Sequence, residues 1–317
     1  MPETPMMNAI QLQEWGDLDQ LRLVQVPRPS PLPTEVLVRV KAAGANPVDA
    51  FTVQGKAYMR ALSLPYIPGW DVAGVVEQVG YGTTRFKVGD EVYGMPWFPR
   101  AASAYAEYVV APSRHLALKP KNLGFKEAAA IPLAGLTAWH MLTELGNIGP
   151  GMKVLINGAA GGVGHIAVQI AKAKGANVIA VASAAKHEFL RDLGADVVVD
   201  YHDGPVSNFI NDADVVVELV GGDTTIALLD AVKTGGLLIS AQFAWAPTLK
   251  AEADKRGVRT SWYLVEPDYV GLEVLTGLIE RGALKVEVSA TYPFERAVMA
   301  LQELAHRRTV GKVVLTM

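Results

Sequence analysis

A short apolar run, Val154-Leu155-Ile156-Asn157, leads directly into Gly158-Ala159-Ala160-Gly161-Gly162-Val163-Gly164, and a helix-periodic stretch occupies 165–174. Strand, glycine turn and helix in that order hold the pyrophosphate of a dinucleotide. One glycine permits the tight turn, the next lets backbone N–H groups approach the phosphates, and the last lets the helix pack closely on the strand. The phosphates then meet a helix N-terminus, whose N–H groups and dipole favour an anion. The turn predicts a bound NAD(P), with Gly158, Ala160, Gly161, Gly162, Val163 and Gly164 as its contacts.

Beyond the turn the chain alternates as a parallel sheet requires: strand 177–182, helix 186–193, strands 197–200 and 214–219, helix 224–232, strand 236–240. The strands are nearly unbroken Val, Ile, Leu and Ala, as expected when helices cover both faces. Gly194-Ala195-Asp196 ends one helix and opens the next strand, and Asp223 is placed to cap a helix. The fold class is α/β: a doubly wound Rossmann domain over 126–267. Before it lie short alternating runs bounded by Gly and Pro, such as Glu35-Val36-Leu37-Val38-Arg39-Val40, which mark a β-rich domain. Lys312-Val313-Val314-Leu315 reads as a further strand, so residues 1–125 and 268–317 form one domain into which the Rossmann unit is inserted.

Composition narrows the classes. The chain is 50% hydrophobic and 19% charged over 317 residues, enough for two cored domains, and a net charge of -3 leaves no basic stripe for nucleic acid. No stretch has the apolar length of a membrane span. Met1-Pro2-Glu3-Thr4-Pro5 lacks the order of a signal peptide, and the absence of Cys excludes disulfides and thiolate ligands, so a cytoplasmic location is expected.

Several collinear motifs carry a resemblance: Ala43-Gly44-Ala45-Asn46-Pro47-Val48-Asp49, Pro68-Gly69-Trp70-Asp71-Val72-Ala73-Gly74, Phe86-Lys87-Val88-Gly89-Asp90-Glu91-Val92-Tyr93-Gly94, Tyr105-Ala106-Glu107-Tyr108-Val109, Leu136-Thr137-Ala138-Trp139, the glycine turn, Val265-Glu266-Pro267-Asp268 and Gly311-Lys312-Val313-Val314-Leu315. Spanning nearly the whole chain, they resemble the zinc-independent quinone oxidoreductases of the medium-chain dehydrogenase/reductase superfamily. The resemblance implies that the β-rich domain is GroES-like and catalytic. The zinc branch of that superfamily places a Cys after the first Ala-Gly stretch and a His-Glu pair after the second Gly; here Asn46 and Trp70-Asp71 stand there. With six scattered His and no Cys, no metal is expected.

The acidic residue that binds the ribose hydroxyls of NAD about 20 residues past a glycine turn is missing from Val181-Ala182-Ser183-Ala184-Ala185-Lys186. Ser183 can donate to a 2′-phosphate and Lys186 adds positive charge, which favours NADPH. Equally, Ser183 can be a helix cap and Lys186 a solvated first-turn residue. The resemblance implies that Tyr201 lines the adenosine phosphate, that Thr137 touches the nicotinamide ribose and that Lys312 contacts the cofactor. Gln242 and Phe243 come just after a strand whose carboxyl end should border the nicotinamide.

For chemistry, the cofactor brings the hydride and the chain orients an electrophile. By resemblance Asn46 lies beside the nicotinamide and donates to the acceptor or the cofactor; as an Asn-Pro pair it can also simply start a turn. Asp49 reads as a helix cap. Tyr58, in a loop resembling the substrate-lining segment, can donate to a carbonyl, or merely pack its ring. Trp70, Trp97, Phe98, Phe243, Trp245 and Tyr263 are candidates for a flat slot or for core. The expected activity is NADPH-dependent reduction of a quinone or an α,β-unsaturated carbonyl, finished by protonation from Tyr58 or water. A redox sensor with little turnover would carry the same cofactor motifs. A short-chain dehydrogenase would need a Tyr with a Lys four residues later, and none of the ten Tyr has one. By resemblance, the segment 258–263 is an edge strand able to pair across a homodimer.

Overall fold

The computed structural model describes residues 5–222, 224–242, 247–306 and 309–317. The chain divides into two compact units, one formed by residues 1–136, 266–281 and 286–317, the other by 137–265 and 282–285.

The first unit opens with β1 (Met6–Gln11) and β2 (Arg22–Pro27), paired antiparallel. Then come β3 (Glu35–Ala45), α1 (Pro47–Val53), β4 (Asp71–Val79), β5 (Glu91–Gly94), β6 (Tyr108–Pro112) and β7 (Leu116–Leu118). Two short helices, α2 (Phe125–Ala129) and α3 (Pro132–His140), lead on; α3 starts in the first unit and ends in the second. Pro47 at the first position of α1 costs nothing, because that N–H has no helical partner, and its fixed φ suits the first turn.

The second unit is a six-stranded parallel sheet: β8 (Lys153–Asn157), β9 (Asn177–Val181), β10 (Val197–Val199), β11 (Ala213–Glu218), β12 (Val232–Ser240) and β13 (Arg259–Trp262). Their order is β10-β9-β8-β11-β12-β13, so the direction of winding reverses between β8 and β11. The helices are α4 (Gly164–Ala173), α5 (His187–Asp192), α6 (Thr224–Ala227) and α7 (Leu249–Lys255). The core is the Val, Ile, Leu and Ala of the strands, Leu155, Ile179, Val216 and Leu238 among them. The helix expected over 224–232 is shorter. It gives way to a 3-10 turn at Leu228–Ala231, and β-branched Val232 pairs with Ala213 to begin β12 instead. β13 is an edge strand. Asp223, Phe243 and Trp245 lie outside the described residues.

The chain then returns to the first unit through α8 (Tyr269–Glu280), β14 (Val288–Pro293), α9 (Ala297–Ala305) and β15 (Lys312–Thr316). β15 lies between β14 and β3 and completes a seven-stranded sheet, pairing Val313 with Ala45. Sequence-distant ends are thereby set side by side at Asn46 and Lys312.

Candidate active site

In the second unit the glycine turn is built as its sequence requires. Gly158 has φ +78°, and a β-carbon on Gly164 would stand 2.3 Å from the Gly158 carbonyl oxygen and 2.6 Å from that of Ala159, so α4 reaches the turn only because position 164 is glycine. The buried imidazole of His165 donates from Nδ1 to the Gly161 carbonyl, 2.9 Å. Asn157, the last residue of β8, donates from Nδ2 to buried Glu218 at the end of β11, 2.9 Å. The other carboxylate oxygen of Glu218 accepts the N–H groups of Val220 and Gly221, at 2.5 and 2.8 Å. One carboxylate thus ties together the two turns flanking the reversal of winding. Burial pushes Glu218 upward and these hydrogen bonds oppose it. A turn that requires glycine at positions 158 and 164, at a helix N-terminus beside a switch point, suits a dinucleotide pyrophosphate.

The turn after β9 carries Ser183 at the N-cap position of the 3-10 turn Ala184–Lys186, without a side-chain capping bond. The capping bond is made by a residue that sequence reading passes over: Asp200, from the end of β10, accepts the Ala184 N–H at 2.8 Å. Asp200 also accepts the His202 N–H and is held below the usual carboxylate range by these contacts. Tyr201 is 54% exposed, with its ring 4.1 Å from that of His202. Ser183, Lys186 and Tyr201 therefore lie on segments that this carboxylate joins. Gln242 donates from Nε2 to the Leu219 carbonyl, 2.6 Å, tying the end of β12 to the turn after β11. Thr137 is buried on α3.

In the first unit, Asn46 caps α1 from the end of β3. Its N–H donates to Asp49 Oδ2, 2.8 Å, the carboxylate half of a capping box. Its side chain turns elsewhere: Nδ2 donates to Asp71 Oδ2, 2.9 Å, and Oδ1 accepts from the ammonium of Lys312. A carboxylate can only accept and an ammonium only donate, so the amide orientation is determined. Lys312 Nζ also donates to the Ala45 carbonyl, 3.2 Å, and stands 3.7 Å from Asp71 Oδ2, while Asp71 Oδ1 accepts the Leu133 N–H, 2.8 Å. Asn46, Asp71 and Lys312 are all buried. Burial pushes Asp71 up and Lys312 down, and each restrains the other.

Asp49 is fully buried as well. Oδ2 takes the Tyr105 hydroxyl at 2.8 Å, and Oδ1 makes no hydrogen bond with the described residues. Desolvation raises its carboxyl to about 7. Tyr58 has φ +53°, a left-handed backbone unusual outside glycine. Its ring meets those of Trp70 and Phe98 edge-on, at 6.3 and 5.4 Å, and burial raises its phenol to about 12. Trp70 has no exposed surface and donates to the Arg100 carbonyl, 2.7 Å, so it braces this cluster from within. Trp97 donates to the Val110 carbonyl at 2.9 Å.

The donor set around Asn46 does not suit a metal. The cation between Asn46, the Ala45 carbonyl and Asp71 is the Lys312 ammonium, and among the described residues no three His, Cys, Asp or Glu side chains converge to hold an ion.

Residues 32–121 match the alcohol dehydrogenase GroES-like domain, and 193–315 match the zinc-binding dehydrogenase family. Over 98% of its length the chain is 36% identical to 2-methylene-furan-3-one reductase of Solanum lycopersicum and 35% identical to the chloroplastic NADPH-dependent alkenal/one oxidoreductase of Arabidopsis thaliana, covering 79% of each. The solved quinone oxidoreductase of Coxiella burnetii superposes with a TM-score of 0.93 at 34% identity, over 99% of this chain and 100% of that one. A GroES-like unit joined to a doubly wound nucleotide-binding unit defines a medium-chain dehydrogenase/reductase. Within that superfamily the chain belongs to the quinone oxidoreductase branch.

Proposed function

We propose that the protein is an NADPH-dependent reductase of quinones or α,β-unsaturated carbonyls that works without zinc. The glycine turn at Gly158–Gly164 carries the reading, since it brings the N-terminus of α4 close against the turn after β8, where an anion can be held. The substrate class is supported by the relatives, one of which is named for NADPH and for alkenals and alkenones. When bound, the nicotinamide supplies the hydride.

The residues 126–267 hold the cofactor and 1–125 with 268–317 hold the acceptor. Gly158, Ala160, Gly161, Gly162, Val163 and Gly164 hold the pyrophosphate; Ser183, Lys186 and Tyr201 hold the adenosine 2′-phosphate; Thr137, Gln242 and Lys312 border the nicotinamide side. NADPH is favoured because the segment 181–186 lacks the acidic residue that binds the ribose hydroxyls of NAD, while Ser183 can donate to a 2′-phosphate and Lys186 adds positive charge. Asn46 presents an amide whose oxygen end is polarised by Lys312, which strengthens its N–H as a donor. Tyr58, protonated throughout the working range, donates a hydrogen bond to the acceptor oxygen. The enzyme works in the cytoplasm as a homodimer paired through β13.

Stopped-flow oxidation of NADPH and NADH with 1,4-benzoquinone, 9,10-phenanthrenequinone and a short enone tests this. Rapid NADPH turnover with one of them is the expected result, and tight NADPH binding without turnover on any acceptor would make the protein a sensor instead.

A further inference from the structure

Apart from the groups already assigned, the described residues of the second unit hold a chain of titratable groups that runs from a half-buried phenol through a buried imidazole to an exposed carboxylate. His140, the last residue of α3, is 3% exposed, and its Nδ1 is hydrogen-bonded to the hydroxyl of Tyr263. The two rings meet edge-on at 5.8 Å. On its other side Nε2 stands 3.7 Å from the carboxylate of Glu144, itself 63% exposed. Glu144 lies in a π-helical turn, Met141–Leu145, that continues α3, and such turns recur at functional sites. The imidazole is thus hydrogen-bonded to a phenol on one side and lies within ion-pairing range of a carboxylate on the other.

Its position gives the chain a task. Thr137, proposed at the nicotinamide ribose, is one turn before His140 on α3. Tyr263 comes immediately after β13 at the carboxyl end of the parallel sheet, where ligands of this architecture collect. The Tyr263 N–H donates to the Ser240 carbonyl at 2.9 Å, and neighbouring Trp262 donates to the carbonyl of Gln242, so Tyr263 is fastened to the segment proposed to border the nicotinamide.

We infer that Tyr263 is the proton donor that completes reduction, recharged by His140, with Glu144 stabilising the imidazolium. This rests on the reductase reading. Hydride arriving on the acceptor leaves an enolate or a hydroquinone monoanion. The Tyr263 O–H bond breaks and its proton joins the anion's carbon or oxygen. The phenolate takes the Nδ1 proton of imidazolium His140, leaving neutral imidazole, and a solvent proton restores the imidazolium. In that charged state both imidazole nitrogens donate, to Tyr263 and towards Glu144, so the Tyr263 O–H is turned away from His140 and towards the acceptor.

The test compares Tyr263→Phe, His140→Gln and surface Glu144→Gln with wild type. General acids contribute about 10²–10⁴ in rate. Tyr263→Phe is expected to lower kcat about 100-fold while the NADPH Kd stays within about twofold, and to show a burst of NADPH oxidation near one equivalent before slow turnover, since hydride transfer no longer has a prompt proton. His140→Gln should fall between this variant and Glu144→Gln, which slows by a few-fold. In the cofactor-free protein, the imidazole nitrogen resonances of His140 should move in both Tyr263→Phe and Glu144→Gln. Wild-type kcat without a burst in Tyr263→Phe, or unmoved His140 resonances, would overturn the relay while leaving the reductase standing. A wild-type protein that turns over no acceptor would remove both.

Discussion

The two units satisfy their buried carboxylates in different ways. In the parallel-sheet unit Glu218 is met by backbone N–H groups two and three residues ahead, and by an amide on the neighbouring strand. In the β-rich unit Asp71 and Asp49 each also take a side chain from afar: Lys312 reaches Asp71 from β15, the last strand of the chain, and Tyr105 stands 56 residues from Asp49. The first arrangement shapes a loop and leaves backbone to hold a ligand. The second fixes side chains, so its chemistry depends on residues that a loop alone cannot position. Backbone-built sites fail when a β-carbon is added, and side-chain-built sites fail when a charge is removed.

Removing the cation from the side-chain network should have the largest effect. Lys312→Met leaves Asp71 buried without its partner and should cost about 3–5 kcal/mol in urea denaturation, with Asp71→Asn added to it recovering part of the loss. Adding a β-carbon to the backbone-built site comes next. Gly164→Ala should cost about 1–3 kcal/mol, roughly tenfold or more in NADPH affinity by fluorescence titration, because the atoms it meets are backbone and cannot yield. A loss of affinity in Gly164→Ala with no change in Lys312→Met stability would reverse the ranking of the two regions. The smallest effect concerns pH. The Asp49 carboxyl rises from 3.8 to about 7 on folding, so the native state keeps a proton that the unfolded chain has lost. Its stabilisation is complete below about pH 4 and is lost as pH rises through about 7. The urea midpoint should therefore fall from about pH 5 to about pH 8 in wild type and fall less in Asp49→Asn, which retains an oxygen for Asn46 and Tyr105.

The same contrast decides what the sequence reveals. The turn at Gly158–Gly164 and the strands around it are local patterns, one glycine spacing and one apolar period, and the structure builds them within a residue or two. The helix over 224–232 is cut short by pairing between Val232 and Ala213, a tertiary choice invisible to periodicity. Asn46 can be singled out through its motif, but its partners cannot, since nothing in the linear order links position 46 to 312. Asp200 is passed over because its role at the Ser183 turn depends on the alignment of β9 and β10. His140 and Tyr263 are 123 residues apart, so although Tyr263 reads as a candidate for an aromatic slot or for core, nothing in the linear order joins it to His140.

Because β15 is threaded between β14 and β3, the two units also differ in time. During synthesis the parallel sheet has all its strands once residue 262 has emerged. The Asn46 network must wait until residue 312 is made, 266 residues after Asn46 itself, an interval on the order of tens of seconds at about 5–20 residues per second. Until then Asn46 and Asp71 stand without their cation, so the nascent chain holds a finished nucleotide fold beside an unfinished partner whose last strand arrives only with translation of the closing segment.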